Sequence, residues 1–477
     1  MSRSSTSDEG EKDIGVRKEA GYGEHNEEHE HDDLAEALQP NFAAHDDIEK
    51  STEQPVQDGD GATLTKVQSQ YSVNNVKSVP DGGATAWLQV LCSFFVFFNT
   101  WGIINAFGIY QTYYENGILA GTSPSNLSWI GSIEAFLLML VGSVAGPIYD
   151  KGYVHELLGV GSFLIVLGQM MLSLCSTYWQ VLLAQGIAIG IGTGLIFTSG
   201  VAILSTYFST KLATATGIAA SGSSIGGVLY PIIFYKLQPT IGFAWATRVM
   251  GFIALFTLGI SNLALRVRVL PASRRKFLDL PAWKIKPFLF FNLGSFFVFI
   301  GLYAPFFYIQ SFVLQTGLME PNLAFYLLAI LNGSSTFGRL IPNIIADRIG
   351  PFNVLTPCAT MCAVLQYCLI SAKSSAAVIV ILALYGFFSG TLVSLPATCY
   401  VHLAGPTRRG LIGTWMGMGF AFVSLGILCG TPITGAILAA YSFTEVWIFG
   451  ATFILVGSFF TILSRLAQAD WKIFVKV

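Results

Sequence analysis

Gly146-Pro147-Ile148-Tyr149-Asp150-Lys151-Gly152 closes one long apolar stretch, and Asn343-Ile344-Ile345-Ala346-Asp347-Arg348-Ile349-Gly350 closes another. Each places an acid, a base and a nearby glycine where an apolar run ends and the chain must turn. Asp150 and Asp347 stand 197 residues apart, and Gly217 and Gly413 stand 196 apart in similar settings. Six apolar segments fit within one such interval, so the sequence reads as two copies of a six-segment unit. Units of this kind, related about an axis normal to a membrane, place a site between them at mid-depth.

The apolar segments extend outward from these two loops. A helix needs about 20 apolar residues to cross a bilayer core. Candidate spans run near 87–111, 127–148, 155–176, 178–204, 212–234, 245–265, 287–312, 322–345, 353–372, 376–400, 410–438 and 445–465. The composition agrees: 53% of the 477 residues are apolar and 11% charged, with a mean hydropathy of +0.60. Soluble domains carry about 25% charged residues.

Charge is unevenly distributed. Residues 1–80 hold 18 of the 28 acids and 7 of the 26 bases, leaving 10 acids and 19 bases for the rest. Residues 1–80 contain no apolar run, so a disordered acidic cytoplasmic tail without a secretory signal is expected. Its Glu24-His25-Asn26-Glu27-Glu28-His29-Glu30-His31-Asp32-Asp33 run has metal-binding side chains without a folded frame, and no metal site is expected. All seven cysteines fall in apolar segments and read as packing residues.

Twelve spans put both termini on one side. The connection after span 6 holds Arg266, Arg268, Arg274, Arg275, Lys276, Lys284 and Lys286, and the other even-numbered connections add Lys151, Lys211, Arg348, Arg408 and Arg409. Counting bases therefore puts both termini in the cytoplasm. The expected organisation is a tail (1–80), an N-terminal six-helix half (81–265), a basic linker (266–286), a C-terminal six-helix half (287–465) and a short cytoplasmic tail (466–477). Glycine-rich strings such as Gly190-Ile191-Gly192-Thr193-Gly194 follow no strand and precede no Lys-Ser/Thr, so they read as close helix contacts rather than phosphate loops. With no nucleophile–His–acid arrangement visible, neither an enzyme, an ATP-driven machine nor a nucleic-acid binder is expected.

Two charges lie deep within spans, Glu134 and Arg339. A charge at the bilayer centre costs about 2.5–3.5 kcal/mol on insertion scales, which makes both functional candidates. Asn332, Ser335, Arg339 and Asn343 recur at i, i+3, i+7 and i+11, one face of span 8, which must line protein or a water-filled cavity. Arg339 suits a bidentate pair with a carboxylate, or a structural role capping carbonyls. Burial favours the neutral acid at Glu134, fitting a proton carrier or a plain hydrogen-bond donor. Span 7 offers Asn292, Ser295, Phe299, Tyr303, Phe306 and Gln310 on one stripe. Weaker lining candidates are Asn99, Asn105, Tyr110, Gln185, Ser199, Tyr385, Ser389 and Trp415. The loop residues Asp150, Lys151, Asp347 and Arg348 read either as a cytoplasmic latch facing helix termini or as simple turn chemistry.

Two stretches carry a family resemblance. Asp81-Gly82-Gly83-Ala84-Thr85-Ala86-Trp87 at the mouth of span 1 resembles the Asp-Gly-Gly…Trp signature of the monocarboxylate transporter family. Tyr207-Phe208-Ser209-Thr210-Lys211-Leu212-Ala213-Thr214-Ala215-Thr216-Gly217 resembles its second signature, leading into span 5. The likeness covers about 81–465 and is closest to the fungal branch. It implies an all-α integral membrane protein with the major facilitator fold, twelve transmembrane helices in two six-helix halves. Proton-coupled members of that family use a Lys on helix 1 and an Asp–Arg pair on helix 8. Here those positions fall on Asn105, Ser335 and Arg339, so one charge of three is kept.

The expected function is secondary active transport of a small organic anion or amphipathic metabolite by alternating access, with proton coupling open. The alternatives are an efflux carrier for a fungal secondary metabolite and, from another class, a non-transporting nutrient sensor. The expected partners are a lipid bilayer and a small-molecule substrate, with no cofactor. A functional monomer is expected, in the plasma membrane or alternatively the vacuolar membrane.

Overall fold

The computed structural model describes residues 81–268, 278–405, 408, 411–472 and 475–476. The expectations for residues 1–80, including the histidine run, and for Arg274, Arg275, Lys276 and Arg409 lie outside them. Among the described residues every regular element is helical.

Among the described residues, ten helices are long and apolar enough to cross a membrane. They are span 1 (Ala84–Asn116), span 2 (Pro124–Asp150), span 3 (Val154–Leu172), span 4 (Tyr178–Tyr207), Leu212–Ala264, span 7 (Lys286–Gln315), span 9 (Pro351–Ser371), span 10 (Ser375–Ala404), span 11 (Ile412–Ala440) and span 12 (Phe443–Gln468). Two details bring the number to twelve. Leu212–Ala264 holds two helices, as expected, that meet at Gly242 (φ 78°, ψ 167°) three residues after Pro239. A left-handed φ suits glycine, and the bend divides the stretch into span 5 (212–241) and span 6 (243–264). Span 8 (Pro321–Ile349) is 29 residues long but too polar to count among the ten.

Local chemistry fixes the helix starts. Proline occupies the first turn of spans 2, 7, 8 and 9, where its missing N–H has no intrahelical partner to lose. Ser123 caps span 2, accepting the Asn126 N–H at 3.2 Å. At span 12, Ser442 and Glu445 form a capping box.

Several helices are interrupted, span 10 among them at Leu395. Span 1 breaks at Thr100 (φ −99°, ψ −89°) and again at Ala106, and span 7 breaks at Tyr303. In span 4, residues Leu182–Ile189 form a π-helical stretch. The bundle packs span 2 against span 11, span 5 against span 8, and the distal part of span 1 against the distal part of span 7.

Candidate functional site

The polar face of span 8 is buried against span 5. Asn332, Ser335, Arg339 and Asn343 are each at most 1% exposed. Arg339 donates to the Ala220 carbonyl at 2.9 Å and to the Ser223 hydroxyl on span 5, and through Nε to Ser335 Oγ at 3.3 Å. These acceptors are all neutral. A guanidinium satisfied only by a carbonyl and hydroxyls keeps an uncompensated charge in a low-dielectric interior, which an anion would relieve.

Further along the face, Asn332 Nδ2 donates to the Gly227 carbonyl of span 5 at 3.2 Å, while its Oδ1 is buried without a partner. A Cβ at Gly227 would press on both the Asn332 amide and the Asn105 side chain. Glycine thus lets spans 1, 5 and 8 converge, with Asn105 Nδ2 also unpartnered. Tyr303 adds a buried hydroxyl without a partner, within electrostatic reach of Arg339. Gln310 is 7% exposed, with Oε1 buried and unpartnered. The structure therefore gathers Arg339, Ser335, Asn332 and Asn105 along one seam and puts Tyr303 within reach of it.

Other residues go elsewhere. Asn343 turns to Ser394 on span 10 at 2.7 Å, with Gly217 packed against it. Asn292 accepts the Tyr400 hydroxyl at 2.6 Å, Tyr385 donates to the Leu302 carbonyl at 2.8 Å, and the Trp415 indole donates to Asp279 at 2.8 Å. These last three were cavity-lining candidates; Asn292 and Tyr385 tie helices together, and Trp415 ties span 11 to the linker.

Glu134 has a separate neighbourhood, on spans 1 and 4. It is fully buried and neither carboxyl oxygen accepts a hydrogen bond among the described residues. Gln185 faces it from the π-helical stretch of span 4; its Oε1 accepts the Tyr114 hydroxyl at 2.7 Å and its Nε2 has no partner. Such π-helical turns often occur at functional sites. Gly190 allows span 4 to approach the Glu134 backbone.

A further acid inside a span was missed. Span 1 runs beyond 111 to Asn116, bringing Glu115 into the helix. There it accepts from Gln111 at 3.1 Å and from Ser311 of span 7 at 3.3 Å. At the same end Tyr235 donates to Asn322 at 2.7 Å and stacks on Phe325 at 3.9 Å. Ser125 and Ser128 donate to the carbonyls of Pro432 and Thr431, joining spans 2 and 11.

At the opposite, basic end, Asp347 accepts the backbone N–H groups of Ala213 (3.2 Å) and Thr214 (3.0 Å) and the Thr214 hydroxyl (2.7 Å). A carboxylate at the first turn of span 5 meets both unsatisfied donors and the positive end of the helix dipole. Asp150 is buried at the corresponding end of span 2.

The two signature stretches dock on each other. Asp81 Oδ1 accepts the Ser209 and Thr210 N–H groups at 2.5 and 2.9 Å, the Asp81 N–H donates to the Tyr207 carbonyl at 3.1 Å, and Trp87 meets Phe208 edge-on at 5.2 Å. Gly82 and Gly83, at φ 159° and 93°, turn the chain into span 1. Lys211 sits at the N-cap of span 5. Slight burial opposes the Asp81 charge, but the donated N–H groups prevail and hold its carboxyl below the usual range.

The family model described as Major Facilitator Superfamily matches residues 89–422. The MFS-type transporter dbaD of Emericella nidulans is 50% identical over 382 residues, covering 80% of this chain and 86% of the relative. The aspyridones efflux protein apdF of the same organism is 41% identical over 380 residues, covering 79% and 77%. The agnestins efflux protein AgnL12 of Paecilomyces divaricatus is 37% identical over 382 residues, covering 80% and 87%. Sequence likeness and apolar helices lead to one conclusion: the chain belongs to the Major Facilitator Superfamily and is a multi-pass membrane transporter.

Proposed function

We propose that this transporter exports a small anionic or amphipathic secondary metabolite by alternating access. The observation that carries the reading is Arg339, a buried guanidinium joining span 8 to span 5 whose partners among the described residues are all neutral. Two similar proteins named as efflux proteins support the outward direction over nutrient import. In this reading Arg339, Ser335, Asn332, Asn105, Tyr303 and Gln310 contact or gate the substrate, and Asn343 supports the span 8 face from behind. Residues 81–265 and 287–465 act as the two moving halves, joined by 266–286. The basic end faces the cytoplasm with both termini, in the plasma membrane, and one chain suffices.

Asp347 on the span 5 terminus, with Arg348 and the matching Asp150-Lys151 pair, serves as the cytoplasmic latch. Glu134 carries the coupled proton, since an acid buried inside a span is placed to load and release a proton when the site opens. The docked signatures support a monocarboxylate-transporter-like frame, with Asn105 and Ser335 in place of that family's Lys and Asp.

The test is export from yeast cells preloaded with a panel of aromatic and aliphatic organic anions. Cells carrying the chain should release at least one compound faster than empty-vector cells, and Arg339→Ala should remove the difference. Equal release of every compound refutes the reading.

A further inference from the structure

Spans 1 and 7 are interrupted at corresponding places, and each interruption carries a large ring. Trp101 follows the break at Thr100, and Tyr303 is the break of span 7. The break of span 1 that matches Tyr303 at the 197-residue interval of the loops is Ala106, and Trp101 heads the short helix Trp101–Asn105 just before it. Paired breaks in corresponding helices of two repeats are a strong pointer to a transporter's binding site. Here the two rings stack on each other, with centroids 6.1 Å apart and planes 12° from parallel, and neither residue is more than 2% exposed. Phe197 closes the Trp101 side edge-on at 6.2 Å, and Phe306 flanks Tyr303 at 5.2 Å.

Tyr303 belongs to the stack, Asn105 lies four residues after Trp101, and Asn332 meets Asn105 across Gly227. Tyr303 Oη, Asn105 Nδ2 and Asn332 Oδ1 are all buried without a hydrogen bond among the described residues. Buried polar groups are nearly always satisfied, so these unpaired atoms and the Arg339 guanidinium offer hydrogen-bonding capacity that a ligand can use. Asn105 Nδ2 needs an acceptor, Asn332 Oδ1 needs a donor, and the Arg339 guanidinium needs an anion. A phenolic hydroxyl both donates and accepts, and a carboxylate or comparably acidic oxygen supplies the charge.

We propose that Trp101 and Tyr303 are the two faces of a sandwich for a flat, hydroxylated aromatic acid, whose anionic oxygen meets Arg339 and whose hydroxyl meets Asn105 and Asn332. The proposal rests on the transport reading and names its substrate class. A ring in contact with both faces needs about 7–8 Å between them, two contacts at roughly 3.5–4.0 Å each. The pair must therefore part to admit substrate, as rocking of the spans about this depth allows. One ring belongs to each set of six spans, so each ring lies on the side of the other that the substrate would cover.

The probe is 3-hydroxy-2-naphthoate, a flat hydroxy acid with its own fluorescence, bound to the full chain in lipid nanodiscs. Its ring-saturated decahydro analogue should bind at least about tenfold more weakly, since it cannot stack on either face. Trp101→Leu and Tyr303→Leu should each weaken naphthoate binding about tenfold, while Trp101→Phe and Tyr303→Phe stay within about threefold because a ring remains. The comparison of the two ligands needs no variant, so a Leu variant that fails to fold leaves the test intact. Equal binding of the flat and saturated acids, unchanged binding by the Leu variants, or no binding of naphthoate overturns the sandwich. Export of octanoate from vesicles without naphthoate binding overturns the sandwich and spares the transport reading. Failure of vesicles to export any organic anion brings down the transport reading itself.

Discussion

Arg339→Lys keeps a positive charge within span 8 but loses the guanidinium fork. Arg339 reaches span 5 at the Ala220 carbonyl and Ser223 hydroxyl while holding Ser335 on its own helix. An ammonium on a shorter, unforked stem cannot serve both helices and a bidentate anion together. Hydrogen bonds to charged groups are worth about 1.5–3 kcal/mol each, so losing one to an anionic substrate should weaken binding about 10–150-fold. The assay is equilibrium binding of 3-hydroxy-2-naphthoate and its neutral methyl ester to the purified chain in nanodiscs. The anion should lose about 10–150-fold in Kd, and the ester no more than about threefold, because it presents no charge to the fork. If Arg339→Lys weakens both ligands equally, the residue merely bolts span 8 to span 5. If neither changes, the anion clamp is refuted outright.

Three further outcomes follow from the same geometry. Glu134→Gln should abolish accumulation driven by a pH gradient yet preserve counterflow exchange in proteoliposomes; accumulation at the wild-type rate places coupling elsewhere. Asp347→Asn should weaken the charge-assisted contact with span 5 by about 1–2 kcal/mol, raising cysteine accessibility at the basic end about 5–30-fold, and unchanged accessibility removes the latch. Asp81→Ala should lower thermal stability by about 1 kcal/mol, as loss of a capping carboxylate does. Because the folded carboxyl titrates below its ordinary value of 3.8, this contribution is present above about pH 4 and lost as pH falls through the lowered value. A melting difference between wild type and Asp81→Ala that persists at pH 2 argues against a charge-based seat.

The membrane spans were legible because twenty-residue apolar runs have few other solutions, and the face of span 8 was legible because helical periodicity aligns Asn332, Ser335, Arg339 and Asn343. Periodicity says which residues share a face, not what the face meets. Hence Asn343 turned to Ser394 and Trp415 to Asp279, contacts set by neighbouring helices. The end of span 1 was placed too early because Glu115 reads as a loop charge until Ser311 is seen across from it. Span 4 gave no warning of its π-helical stretch, since Leu182–Ile189 is as apolar as any regular helix. The Trp101–Tyr303 stack was equally hidden: Tyr303 was one of several aromatic residues on span 7, and nothing in composition joins it to a partner 202 residues away.

The docking of Asp81 onto Ser209 and Thr210 also bears on biosynthesis. Ser209 is 128 residues downstream of Asp81, so span 1 emerges long before its polar seat exists. At about 5–20 residues per second, roughly 6–25 seconds separate the two during translation. Through that interval spans 2, 3 and 4 are inserted while the entrance to span 1 remains unfastened. Completion of the loop before span 5 then fixes the first helix against the fourth, giving the nascent chain a checkpoint at its fourth crossing.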